Sequence, residues 1–82
     1  PMYLATTKGI RNYTDVFYEE NVMLLFGKET AGLPGNLIDE FKDRTIRIPM
    51  SRNTRLRSLN LSNSANIVLF EVLRQQKFPG LE

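Results

Sequence analysis

Leu24-Leu25-Phe26-Gly27-Lys28-Glu29-Thr30-Ala31-Gly32-Leu33-Pro34 is the stretch on which the reading of this chain turns. It closes the longest uninterrupted apolar run, Val22 to Phe26, and crosses a polar loop bracketed by glycines to reach a proline suited to the first turn of a helix. Leu37, Ile38 and Phe41 then form one apolar stripe, and Thr45 to Ile48 a further short apolar run. Strand, loop, helix, strand is a βαβ unit, so a parallel sheet is expected. Working outward, Met2 to Thr7 reads as a strand, giving three with Asn21 to Phe26 and Thr45 to Ile48. None alternates cleanly, the pattern of strands covered on both faces. Between the first two lies Lys8 to Glu20, where Gly9, Asn12 and an aromatic cluster (Tyr13, Phe17, Tyr18) leave room for a single helical turn.

The last element is a helix running through Gln76. Leu61, Ala65, Val68, Leu69 and Val72 repeat with a period of 3.6 residues, and Phe78-Pro79-Gly80 ends the pattern. Ile67 to Leu73 is apolar nearly all round, which predicts burial on both sides. A chain of 82 residues has little material for the second side, so a partner subunit is expected there. The chain enters a strand almost at its first residue. A sheet that starts so abruptly suggests the C-terminal portion of a longer protein, with residues 1–82 forming a single unit of it.

Composition narrows the chemistry. A chain this short buries only about 60–65% of its unfolded surface. Cysteine and histidine are both absent, which removes disulfides, cysteine metal sites and the commonest general base. No apolar run approaches membrane-spanning length and no leader pattern is visible, so a cytoplasmic location away from membranes is expected. Net charge is only +2, yet five arginines (44, 47, 52, 55, 57) fall between Asp43 and Glu71 with no acid among them. Such clustering attracts phosphate, although a solvated basic loop gives the same pattern.

Leu56-Arg57-Ser58-Leu59-Asn60-Leu61-Ser62-Asn63 follows those arginines directly. Ser and Asn are weak helix formers whose place is a helix start. Two readings stand on the residues alone: a redundant helix cap, or a polar anion or cofactor site at a helix N-terminus.

Taken together, Leu24 to Pro34 and the pair Ile46-Arg47-Ile48-Pro49-Met50 and Arg57 to Asn63 resemble the second and third motifs of the SpoU branch of the SPOUT RNA methyltransferases. The likeness is greatest to the small tRNA 2′-O-methyltransferases of the anticodon wobble nucleotide. Thr6-Thr7-Lys8-Gly9 and Leu73-Arg74-Gln75-Gln76 with Phe78-Pro79-Gly80 extend it nearly end to end. The resemblance implies a parallel α/β sheet with a C-terminal trefoil knot, an exception to the rule against threading. It also implies S-adenosylmethionine held by the loops after Thr7, Phe26 and Ile48, at the carboxyl ends of the strands.

By the same resemblance Ala5, Gly27 and Ile48 offer backbone contacts to adenine, with Gly27 allowing close approach to the ring. Ile48, Met50 and Leu59 line an apolar pocket, while Ser58 supports the cofactor. Glu29 has an orienting role, holding the loop or the substrate side by hydrogen bonds, and Ser58 and Asn60 support the cofactor and position the nucleophilic hydroxyl. On the residues alone, Gly27 is a turn, Ile48 and Leu59 are core, Glu29 is exposed, and Ser58 and Asn60 are caps. The loop Ser51 to Leu56 is longer than the family's usual spacing, and the family's first motif, Asn-x-Gly-Asn followed by Arg, has no match here. That motif is expected upstream of Pro1.

The implied function is S-adenosylmethionine-dependent 2′-O-methylation of a tRNA ribose. The protein would act as a homodimer through the C-terminal helix, with the arginine cluster (44, 47, 52, 55, 57) holding the anticodon stem-loop by phosphate contacts. Alternatives are a cofactor-binding and dimerising portion inactive alone, a ribosomal RNA ribose methyltransferase, or a nucleotide-binding domain. The last lacks any phosphate-binding Gly-rich fingerprint.

Overall fold

The computed structural model describes residues 1–27, 32–49 and 61–81. Four strands, β1 (Met2–Ala5), β2 (Arg11–Asn12), β3 (Met23–Phe26) and β4 (Thr45–Arg47), form one sheet in the order β2-β4-β1-β3, every pair parallel. The expected parallel α/β architecture is present. The strands are shorter than the apolar runs, since β1 stops at Ala5 and β4 at Arg47. A fourth strand stands where a connector was expected, and the single helical turn follows it as a 3-10 turn at Tyr13–Asp15. Asn12 caps that turn, its Oδ1 accepting from the Thr14 amide at 3.2 Å.

Helix α1 (Gly35–Glu40) is short, with Pro34 at its N-cap rather than in its first turn. The Pro34 carbonyl accepts from the amides of Leu37 and Ile38, so a residue with no N–H of its own begins the helix without loss. A 3-10 turn at Lys42–Arg44 then leads directly into β4.

Helix α2 (Leu61–Gln75) packs on one face of the sheet. Val68 and Val72 join Tyr3, Val16, Tyr18 and Ile46 in one buried cluster, while Leu4 and Thr45, neighbours in the β1–β4 register, are buried on the other face. The core therefore lies on both sides of β1, as its unbroken apolar pattern predicted. The expectation for α2 is met on one side only: Leu69 and Phe70 are exposed.

Polar side chains hold the segment after β2 against α2. Gln75 donates to the Val16 carbonyl at 2.7 Å and accepts from the Tyr18 amide at 2.9 Å. Gln75 is itself fixed by Glu71 Oε2 at 2.9 Å, and Arg74 makes a two-pronged pair with the same carboxylate. Arg74 thereby holds the Glu71 carboxyl below its ordinary range, against the opposing effect of burial. Tyr18 stands edge-on to Tyr3, with centroids 5.4 Å apart, and its hydroxyl donates to the Tyr13 carbonyl. Burial, then the Glu71 charge, pushes that hydroxyl above its ordinary pKa.

Candidate functional site at the carboxyl ends of the strands

The sheet order places β4 between β1 and β2, although β1 and β2 are separated in sequence only by residues 6–10. Ala5 of β1 and Arg11 of β2 are both level with Ile46 of β4. The connection must therefore cross β4, and it does so at close quarters. A Cβ on Gly9 would lie 2.3 Å from the Ile46 carbonyl carbon and 2.7 Å from the Arg47 nitrogen. Only a residue without a side chain passes there.

Four polar contacts fasten this crossing. The Thr6 amide donates to the Ile46 carbonyl at 2.9 Å, and the Ile10 amide donates to Thr45 Oγ1 at 3.1 Å. Thr45 in turn donates to the Lys42 carbonyl at 2.7 Å, so its buried hydroxyl is satisfied as donor and acceptor. Arg47 reaches back with Nη1 to the Gly9 carbonyl at 2.9 Å. Within the turn, the Lys8 amide donates to Thr6 Oγ1 at 3.3 Å.

Ala5 and Phe26 are paired in the β1–β3 register, so the chain leaves β1, β3 and β4 at the same edge of the sheet. Three of the expected cofactor contacts sit at that edge: Ala5 ends β1, Gly27 follows β3, and Ile48 follows β4. All three are half-buried, and Ala5 and Ile48 pack against the core cluster. In open parallel sheets ligands sit beyond this edge, at the carboxyl ends of the strands. The structure adds a different reason for Gly27. Its missing Cβ would lie 2.1 Å from the Gly32 carbonyl carbon and 2.3 Å from the Leu33 nitrogen. Backbone of the same chain occupies that space, and Gly32 itself has a φ of 66°.

Glu29, Met50, Ser58, Leu59 and Asn60, with Arg52, Arg55 and Arg57, lie outside the described residues. Sequence reasoning gave no role to Gly9 and Thr45 and read Arg47 only as one of five clustered arginines, because the contacts of all three are long-range. Among the described residues no group of three or more acidic side chains could hold a metal ion, and no helix is long and apolar enough to cross a membrane.

Residues 2–70 match the SpoU rRNA Methylase family. The tRNA (cytidine(34)-2′-O)-methyltransferase of Methylovorus glucosotrophus is 42% identical over 80 residues, covering 96% of this chain and 51% of that protein. A solved structure described as giving insight into the 2′-OH methylation of C/U34 on tRNA superposes with a TM-score of 0.83 at 30% identity, covering 93% of this chain and 45% of the other. An AdoMet-bound rRNA methyltransferase from Sinorhizobium meliloti superposes with a TM-score of 0.72 at 33% identity, covering 89% and 27% respectively. The chain spans about half the length of the curated relatives it matches, 44% of one and 51% of two others.

Proposed function

Since this chain belongs to the SpoU rRNA Methylase family, we propose that the protein carrying it methylates the 2′-hydroxyl of a tRNA ribose at the anticodon wobble position, using S-adenosylmethionine. The observation that carries this reading is the 42% identity, over 96% of the chain, to a relative named for that reaction. The sulfonium of the cofactor supplies an electrophilic methyl group. The protein's task is then placement, because in-line alignment alone removes much of the barrier. Ala5, Gly27 and Ile48 would hold the adenine by backbone groups at the shared strand edge, with Ile48, Met50 and Leu59 as apolar walls. Ser58 would support the cofactor, while Glu29, Ser58 and Asn60 would orient the ribose hydroxyl. None of these side chains is an evident base for its proton, and the family's first motif, whose arginine the resemblance makes an aid to deprotonation, has no match in these 82 residues.

The knot, the dimer and the RNA contacts belong to the same proposal. The crossing at Gly9 leaves β4 lying in the gap between β1 and β2, an arrangement compatible with a trefoil. Exposed Leu69 and Phe70 on α2, with Phe78 and Leu81 beyond it, support a homodimer through the C-terminal helix. The arginine cluster (44, 47, 52, 55, 57) would hold the anticodon stem-loop, and a tRNA substrate fits a cytoplasmic protein. A ribosomal RNA substrate is the second reading, favoured by the Sinorhizobium meliloti neighbour.

The test is methyl transfer by the full-length protein to unmodified tRNA and to ribosomal RNA, with the modified nucleotide located by nuclease mapping and mass spectrometry. The expected product is a 2′-O-methylated wobble nucleotide. Transfer to ribosomal RNA alone selects the second reading. Cofactor binding without transfer to either RNA would leave a binding and dimerising role.

A further inference from the structure

The turn that crosses β4 is tied to that strand at three points, and one of them is made by an exposed side chain. At its ends the Thr6 amide donates to the Ile46 carbonyl at 2.9 Å and the Ile10 amide to the buried Thr45 hydroxyl at 3.1 Å. Between them Gly9 is buried against β4, and its carbonyl accepts from Arg47 Nη1 at 2.9 Å. Arg47 is exposed, and this is its one hydrogen bond among the described residues. No carboxylate there pairs with it, since Glu71–Arg74 is the single ion pair among the described residues. Asn12, level with Arg47 in the β2–β4 register, accepts at Oδ1 from the Thr14 amide and hydroxyl instead.

Arg47 immediately precedes Ile48, and Gly9 belongs to the turn that begins directly after Ala5. One side chain therefore braces the exit of β1 against the exit of β4, the neighbouring strand ends that carry Ala5 and Ile48. Gly27, at the third strand end, is packed on the backbone of Gly32 and Leu33 and does not depend on this bond. A guanidinium donating to a carbonyl is a charge-assisted bond, stronger than a neutral one. Its loss leaves both ends of the turn tied, so the crossing survives and the apex at Gly9 is what comes free. We infer that Arg47 is a positioning residue for the cofactor: its latch on Gly9 fixes the exits of β1 and β4 in the arrangement that S-adenosylmethionine meets. Arg47 is thereby set apart from the rest of the arginine cluster. This inference rests on the proposed cofactor contacts at Ala5 and Ile48.

The experiment titrates the full-length protein with S-adenosylhomocysteine in a calorimeter and unfolds the same variants in urea. Arg47→Ala removes the latch and Arg47→Lys keeps a cationic donor. Gln75→Ala, which breaks the tie of α2 to Val16 and Tyr18, is the control for destabilisation alone. Binding requires the latched turn, and one ordinary hydrogen bond corresponds to about five- to tenfold in an equilibrium. Arg47→Ala should weaken S-adenosylhomocysteine by that factor and raise the KM for S-adenosylmethionine, with kcat close to wild type. Arg47→Lys should recover most of the loss. Gln75→Ala should unfold at lower urea than Arg47→Ala and yet bind S-adenosylhomocysteine like wild type. Wild-type affinity in Arg47→Ala overturns the inference, as does an equal loss in Gln75→Ala or an Arg47→Lys variant as weak as Arg47→Ala. Unchanged S-adenosylhomocysteine binding with a shallower salt dependence of tRNA affinity in Arg47→Ala assigns the guanidinium to RNA and overturns it as well. A wild type that does not bind S-adenosylhomocysteine defeats the cofactor reading, and the inference with it.

Discussion

Gly9→Ala is the substitution on which the crossing stands or falls. The new Cβ would sit 2.3 Å from the Ile46 carbonyl carbon, whereas ordinary contact begins at 3.4 Å, so 3.4 − 2.3 = 1.1 Å must be recovered. The obstacle is backbone, and it belongs to the strand paired on both sides. Moving β4 strains its ladders, and moving the turn breaks the bonds from Thr6 to Ile46 and from Arg47 to Gly9. Two hydrogen bonds lost at about 1 kcal/mol each, with overpacking of about 1–3 kcal/mol, give about 3–5 kcal/mol. Folded proteins are stable by only about 5–15 kcal/mol, so in the full-length protein the variant should unfold at visibly lower urea. The assay is urea unfolding at one fixed protein concentration, because association would shift the midpoint by mass action. Gly32→Ala is the comparison: a Cβ there meets nothing within 4 Å, and only the positive φ of 66° is strained. It should cost about 1–2 kcal/mol. A Gly9→Ala variant within about 0.5 kcal/mol of wild type, the range of an ordinary surface change, would show that the turn does not cross β4 as described.

Three further outcomes are expected. Gln75→Ala leaves the Val16 carbonyl and the Tyr18 amide without their partners, which should cost about 2–4 kcal/mol and speed hydrogen exchange at the Tyr18 amide; unchanged exchange would refute the tether. Lys77 and Phe78 close α2 with φ of 63° and 51°, their amides donating to the Arg74 and Leu73 carbonyls, so Lys77→Gly should stabilise the fold by about 1 kcal/mol in thermal unfolding, and a lower Tm would count against that cap. The Glu71 carboxyl is held below its ordinary value of 4.5, chiefly by Arg74. Its stabilising effect is therefore complete above that pH and is lost as pH falls through the depressed folded value. Wild type should lose stability relative to Glu71→Gln over that acid range, while parallel pH profiles would show the pair to be inert.

Three positions of the candidate site could be located from sequence because they lie in or directly after strands with clear apolar runs. Ala5 and Ile48 were read within the strands Met2 to Thr7 and Thr45 to Ile48 and Gly27 just after a third, and all three stand at one edge of the sheet. The reason for the glycine at position 27 was not legible. The contact that forbids a side chain there comes from Gly32 and Leu33, on the far side of a loop. Arg47 read as one member of a basic cluster, and its bond to Gly9 spans 38 residues of sequence.

By itself the sequence determined the α/β class, the helix from Leu61 and the strands carried by Met2, Met23 and Thr45, because each rests on local periodicity and apolar runs. Tertiary structure decided what those strands do together. Arg11–Asn12 has neither an apolar pattern nor length to announce a strand, and it becomes one only because β4 lies beside it. The insertion of β4 between β1 and β2 is likewise set by hydrogen-bond partners more than thirty residues away. Local propensity carries no information about such partners, so the order β2-β4-β1-β3, and the demand for glycine at position 9, emerge only when the sheet is assembled.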